Sequence, residues 1–136
     1  MPLTEPQRVG SVRRYMAPIT GYGTSQLNPG AAAMSSPPDL ATLRFVDMPW
    51  MVQPDHAAVM VFARQGPRLT DDIERLYALG IDAARVTLEL LSGKDTIDID
   101  GVTGHITSTP EGALRRGLLV TLIDGSGLTI LGESRP

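Results

Sequence analysis

The most regular hydrophobic pattern in the chain covers residues 70–92 and predicts an amphipathic helix. Thr70 is a suitable N-cap, Asp71 and Asp72 follow where the helix dipole favours negative charge, and Gly93 is a suitable C-cap. Apolar residues recur at helical spacing in two adjacent stripes, Ile73, Leu76, Tyr77, Ala84, Leu88 and Leu91 in one and Leu79, Ala83, Val86 and Leu90 in the other. Because so much of the circumference is apolar, the pattern indicates a helix packed on two sides, against a sheet and a neighbouring helix.

The residues before this helix predict shorter elements. Spacing of the apolar side chains favours a helix over residues 5–16, and residues 19–25 favour a strand that runs into a loop. The segment Leu43–Trp50 is typical of a strand that ends at Pro49. An apolar run within residues 55–64 fits either a short helix or a buried strand, and Asp55, as a possible N-cap, favours the helix.

Residues 26–41 interrupt these patterns. They include Asn28-Pro29-Gly30 and Pro37-Pro38 and contain few large apolar side chains. Such a composition is typical of a surface loop, so we expect residues 26–41 to be flexible.

The period changes after Gly93. Residues 97–101 alternate between isoleucine and aspartate, residues 105–108 are rich in strand formers, and residues 116–123 form an apolar run. The turn residues 124–127 then lead into an apolar segment that completes a hairpin. The chain is therefore predicted to be α/β with an antiparallel C-terminal hairpin, and residues 1–136 to form a single domain or lobe.

Composition excludes several classes of protein. The 136 residues carry a net charge of −3, and the basic residues are scattered, which argues against a nucleic-acid surface. There is no cysteine, so disulfides and thiolate chemistry are excluded. No apolar run approaches the roughly 18 residues of a membrane span. The pattern of the first residues predicts neither a signal peptide nor a lipobox in this chain.

No motif predicts catalysis, a metal site or a cofactor. His56 and His105 are the only histidines and lie far apart without a metal-ligand pattern. Ser25 follows a glycine-rich segment that is not a nucleophile elbow, and a triad with one histidine and an aspartate could be assembled from almost any chain of this size. The chain is therefore predicted not to be an enzyme.

Three further side chains have both a chemical and a structural interpretation. Asp98 and Asp100 alternate with isoleucines, so a solvated strand face is favoured over an acid–base pair. Trp50 is interpreted as a packing anchor in preference to a platform for ligand stacking.

Four segments, in order, resemble the penicillin-binding protein activators, the LppC-type lipoproteins of the outer membrane. They are Tyr22-Gly23-Thr24-Ser25-Gln26, then Asp39-Leu40 with Leu43-Arg44-Phe45-Val46-Asp47-Met48-Pro49-Trp50, then Arg75-Leu76-Tyr77-Ala78-Leu79-Gly80-Ile81-Asp82-Ala83, and finally Gly101-Val102-Thr103-Gly104-His105-Ile106. Each segment is short, but their order over about residues 8–131 is specific.

The resemblance implies part of a type I periplasmic-binding-protein-like, Rossmann-like lobe. It implies a truncated C-terminal portion of a longer lipoprotein, without the lipid anchor, the upstream helical domain and most of the first lobe. The implied function is periplasmic and non-catalytic: activation of a bifunctional penicillin-binding protein, a peptidoglycan synthase, by protein–protein contact. Self-association is also expected, because a partial lobe exposes apolar surface.

A second function is compatible with the same fold. In a solute-binding lobe of an amino-acid-type ABC transporter, the strand end at Tyr22, Thr24 and Ser25 would offer hydroxyls and backbone N–H groups to a ligand carboxylate. Fold alone does not choose between the two functions.

Overall fold

The computed structural model describes residues 20–28, 43–62, 64, 69–124 and 127–134. In chain order the elements are β1 (Tyr22–Gly23), a 3₁₀ turn (Ser25–Leu27), β2 (Arg44–Asp47), α1 (Pro49–Val52), α2 (Ala57–Met60), α3 (Asp71–Leu91), β3 (Asp98–Gly101), β4 (Gly104–Ser108), β5 (Leu114–Gly117), β6 (Leu119–Asp124) and β7 (Gly127–Glu133). This mixture confirms the predicted α/β class.

The described residues divide into two units. The first contains those up to Asp47 together with Leu119–Gly132, and the second contains Met48–Leu118 and the described residues from Glu133 onward.

The first unit is built on a four-stranded sheet in the order β1-β2-β6-β7. Strand β1 is parallel to β2, and β2 is antiparallel to β6, with Phe45 opposite Thr121. Leu27, Leu43, Phe45 and Ile123 are buried. The neighbouring strands β6 and β7 confirm the predicted C-terminal hairpin.

Two predicted boundaries need correction. The strand predicted at Leu43–Trp50 ends at Asp47, because Pro49 occupies the first turn of α1, where its missing N–H removes no helical hydrogen bond. The apolar run at residues 116–123 is not one strand, since it is divided at Leu118 between β5 and β6, which belong to different sheets.

The second unit contains an antiparallel sheet in the order β3-β4-β5. Gly104 begins β4 with φ +128°, and a Cβ there would lie 1.9 Å from the carbonyl oxygen of Gly117 on β5. Only glycine fits both the backbone conformation and the close approach of the two strands.

Helix α3 has the predicted length and ends before Gly93, whose φ is +82°. The residues buried along it are Glu74, Ala78, Asp82 and Val86, which recur at i+4. The prediction of packing on two sides is wrong, because most members of both apolar stripes are exposed. A narrower face is buried because Ala78 packs in a cluster with Trp50 and Val102, and Val86 packs in a second cluster with three isoleucines of β3, β4 and the segment before β3.

The helix predicted within residues 55–64 is present as α2, but its N-cap is His56 and not Asp55. The His56 Nδ1 atom accepts a hydrogen bond of 3.3 Å from the backbone N–H of Ala58.

Two predictions concern residues largely or wholly outside the described ranges. The helix expected at residues 5–16 lies wholly outside them. Of the loop expected at residues 26–41, Gln26 and Leu27 are in the 3₁₀ turn and residues 29–41 are outside the described ranges.

Candidate functional site

The carboxylate of Asp82 fastens helix α3 to the turn between β3 and β4. It accepts hydrogen bonds from the backbone N–H of Val102 (3.1 Å), the backbone N–H of Thr103 (2.7 Å) and the Thr103 hydroxyl (2.7 Å). Arg85, one turn later, donates to Asp82 at 3.2 Å and to the carbonyl oxygen of Asp100 at 2.9 Å. Asp82 is 1% exposed, so these bonds replace water around a buried charge.

Glu74, near the start of α3, connects this helix to Trp50 of α1. Its carboxylate accepts a 2.7 Å hydrogen bond from the Trp50 indole N–H, and Trp50 is fully buried. The Tyr77 ring lies 5.7 Å from that indole, and the Arg64 guanidinium lies 4.7 Å from its ring centroid. Trp50 is therefore a packing anchor, as predicted.

An open groove of about 490 Å³ lies beside this framework, within the second unit. Its lining is mostly aliphatic and comes from α3, β4 and β5: Leu79, Asp82, Ala83, Val86, Thr103, Ile106, Leu114, Arg115 and Arg116. Strand β5 is at the edge of the sheet among the described strands. Arg115 and Arg116 are exposed, and neither has an ion pair among the described residues. The groove therefore offers apolar surface, a strand edge and two positive charges to a partner.

The two histidines each contact an aspartate of β3. His105 Nε2 is 2.8 Å from Asp98 Oδ1, and His56 Nε2 is 3.3 Å from Asp100 Oδ1. Both aspartates are exposed, as the alternating pattern predicted. Within the described ranges, no group of three or more His, Cys, Asp or Glu side chains could hold a metal ion.

Tyr22, Thr24 and Ser25, the candidate ligand-binding residues, lie at the end of β1 and in the 3₁₀ turn of the first unit. Tyr22 is 72% exposed, and its hydroxyl accepts a 3.2 Å hydrogen bond from Arg44. The backbone carbonyl of Thr24 accepts from the N–H of Leu27, and that of Ser25 from the N–H of Asn28. These two carbonyls therefore stabilise the turn, while the Thr24 residue is exposed.

The four segments of the resemblance divide between two structural roles. Trp50, Ala78, Asp82 and the turn at residues 101–104 meet in the second unit, where they hold α3 on the three-stranded sheet. The segment containing Tyr22 supplies the short strand of the first unit. The profile of the LppC putative lipoprotein family matches residues 8–120, which is most of the chain. The chain belongs to the LppC family.

A curated relative in the LppC family is the penicillin-binding protein activator LpoA of Photobacterium profundum, with 26% identity over 114 residues. The match covers 82% of this chain but only 18% of that activator. This LppC chain therefore corresponds to less than a fifth of the curated relative's length.

Solved structures support the same fold. The C-domain of LpoA (YraM) from Haemophilus influenzae, described as a regulator of PBP1A, matches 93% of this chain and 42% of its own, with a TM-score of 0.68 and 16% identity. A putative branched-chain amino acid ABC transporter from Chromobacterium violaceum ATCC 12472 matches 85% of this chain and 38% of its own, with a TM-score of 0.67 and 38% identity. The predicted periplasmic-binding-protein-like fold is confirmed.

Among the described residues, no helix has the length and apolar character needed to cross a membrane.

Sequence reasoning missed Glu74 and Asp82 as the polar contacts of α3 and missed the groove. The sequence does contain a pattern that could have indicated the two carboxylates, because every charged residue of α3 from Glu74 onward falls on one side of the helix. No pattern in the sequence indicates the groove. Its lining residues on β4 and β5 come to lie beside α3 only when the two strands pair in the sheet.

Proposed function

We propose that this LppC chain is a non-catalytic module that activates a bifunctional penicillin-binding protein by direct contact. The observation that carries the proposal is the family match over residues 8–120, together with a curated relative named as a penicillin-binding protein activator. The same relationship supports a location in the periplasm, in association with the outer membrane in full-length members of the family.

The groove beside α3 is the contact site that we favour. Aliphatic side chains of α3, β4 and β5 would bury an apolar segment of the partner, and the edge of β5 would pair with an extended strand. Arg115 and Arg116 would select a segment with acidic side chains, because charge complementarity favours the right partner and speeds its encounter.

The test combines binding and activity. The whole chain is immobilised against a purified bifunctional penicillin-binding protein from the source organism, and peptide cross-linking by that enzyme is measured with and without the chain. We expect binding and a faster cross-linking rate. For the double variant Arg115→Glu/Arg116→Glu we expect at least about a 10-fold weaker Kd, since reversing charges at an interface turns attraction into repulsion.

Lys94→Glu is the charge-reversal control, because Lys94 is an exposed cation outside the groove, and it differs from the two arginines in having an ion pair with Glu89. Absence of both binding and activation by the unmodified chain would refute the proposed function. Equal binding by the groove variant and the unmodified chain would refute only the groove as the contact site.

A second candidate is binding of a branched-chain amino acid, favoured by the 38% identity to the putative transporter structure. Tyr22, Thr24 and Ser25 would then offer hydroxyls to the ligand. Calorimetry with leucine, isoleucine and valine tests this function. Micromolar binding that is lost in Thr24→Ala/Ser25→Ala would support it, and absence of heat for all three amino acids would reject it.

A further inference from the structure

The outward face of helix α3 is apolar along almost its whole length. Seven large apolar side chains on it are 45–79% exposed: Ile73, Leu76, Tyr77, Leu79, Leu88, Leu90 and Leu91. The charged residues of the helix after Asp72, namely Glu74, Arg75, Asp82, Arg85 and Glu89, are all buried or half-buried. A solvent-facing helix normally has the opposite distribution.

The size of this face matches what a dimer interface needs. Seven such side chains present on the order of 500 Å² of apolar surface, which is as large as the largest patch on a typical monomer. A standard interface buries about 800 Å² on each partner, of which about two thirds is apolar in homodimers. The outward face of α3 would therefore supply most of the apolar part of one interface.

Part of the face is symmetric about the level of Asp82, with small residues in the middle and large ones on both sides. Gly80, Ala83 and Ala84 occupy the centre, and a Cβ added at Gly80 would meet nothing within 4 Å. Large side chains occupy both ends, with Ile73 and Leu76 before the centre and the leucines 88, 90 and 91 after it. An exposed glycine inside a helix costs about 1 kcal/mol relative to alanine, and a second helix that approaches closely at that point would offset the cost.

We infer that the outward face of α3 binds the same face of a second copy of this chain, with the two helices antiparallel about a two-fold axis. The axis passes level with Asp82 along the helix, so Ile73 lies opposite the partner's Leu91, Leu76 opposite the partner's Leu88, and Gly80 opposite the partner's Ala84. Large side chains thus meet large ones, and the small residues allow the close approach at the crossing.

Charge favours this arrangement over a parallel one. An antiparallel pair keeps the first-turn acids Asp71 and Asp72 of the two copies at opposite ends of the interface, each near the partner's Lys94, which pairs with Glu89 in its own copy. The helix dipoles are then also opposed, so each positive end lies near a negative end. A parallel pair would bring the acids of both copies together.

Sedimentation equilibrium of the whole chain without any penicillin-binding protein tests the inference. Interfaces of standard size have Kd values from micromolar to picomolar, so at about 100 µM we expect twice the monomer mass of 14.6 kDa. Leu76→Glu/Leu88→Glu should weaken dimerisation at least about 100-fold, because it places two like charges from each copy among the large apolar side chains on both sides of the crossing. Val61→Glu, at another exposed aliphatic residue, should leave the dimer unchanged.

Disulfide trapping provides a second measurement on a chain that has no cysteine of its own. After oxidation of a mixture of Ile73→Cys and Leu91→Cys chains, we expect the mixed dimer to exceed either homodimer at least about 10-fold, since only the mixed pair brings the two thiols within disulfide reach. A monomer at the same concentration, open-ended aggregation that Leu76→Glu/Leu88→Glu does not prevent, or preferential homodimers of Ile73→Cys would each overturn the inference. Leu79 and Ala83 belong both to this face and to the groove, but none of these results depends on activation of a penicillin-binding protein, so the proposed function is tested separately.

Discussion

The two faces of helix α3 differ in a way that reverses the usual arrangement of a surface helix. The inward face contains Glu74, Ala78, Asp82 and Val86 and is buried, although two of these four residues are acidic. The outward face contains leucines that are up to 79% exposed. Burial in this helix therefore follows specific hydrogen bonds and small side chains, and not the amount of apolar surface.

The physical reason is the fit of the inward face to its neighbours. Ala78 leaves room for the Trp50 ring, and Asp82 reaches two backbone N–H groups in the turn at residues 101–104. A Cβ at Gly101 would lie 2.5 Å from Asp82 Oδ2, so that turn is built around the carboxylate. Leucines at positions 78 and 82 would fill this space and leave the N–H groups without acceptors.

The largest expected loss of stability comes from a substitution on the inward face of α3. Asp82→Asn replaces a carboxylate with an amide that can accept fewer hydrogen bonds and lacks the charge. We expect the free energy of unfolding to fall by about 3 kcal/mol, because charge-assisted hydrogen bonds contribute about 1.5–3 kcal/mol each and their buried donors would be left unpaired. Urea denaturation measures the loss. The matched control Asp95→Asn changes an exposed aspartate and should have little effect.

A smaller loss of stability is expected from two substitutions that compare the buried and exposed faces of α3 directly. Val86→Ala removes buried methyl groups and should lower the free energy of unfolding by about 2 kcal/mol, while Leu76→Ala should lower it by less than about 0.5 kcal/mol in dilute solution. Leu76 is 66% exposed and Val86 is 8% exposed, so the larger side chain has the smaller effect. A loss at Leu76 as large as that at Val86 would show that the outward face is covered within one copy of the chain.

The smallest expected effect is a change in the pKa of Glu111, in the exposed turn between β4 and β5. A hydrogen bond from Thr109, with a second from the backbone, lowers the pKa of Glu111 below its ordinary value. A lowered pKa in the folded state means that this carboxylate stabilises the fold above its unfolded pKa and that the contribution is lost as pH falls through the folded pKa. NMR titration of the Glu111 side chain should show the low pKa, and Thr109→Ala should raise it. An unchanged pKa in Thr109→Ala would contradict the assigned cause.

Local patterns were enough to predict several elements. The cap residues and periodicity of residues 70–92 predicted α3, and the glycine at 93 predicted its end. The alternation at residues 97–101 predicted the exposed face of Asp98 and Asp100. These features depend on contacts within one turn or one strand, so neighbouring residues in the chain determine them.

The sequence by itself therefore determined the α/β class, the extent of the long helix and, through four ordered segments, membership of the LppC family. Only the tertiary structure decided which face of α3 is buried and where the run at residues 116–123 divides between two sheets. Hydrophobic periodicity identifies an apolar face but not the surface that covers it. That choice depends on Trp50 and the turn at residues 101–104, which are distant from Asp82 in the chain and meet α3 only after folding.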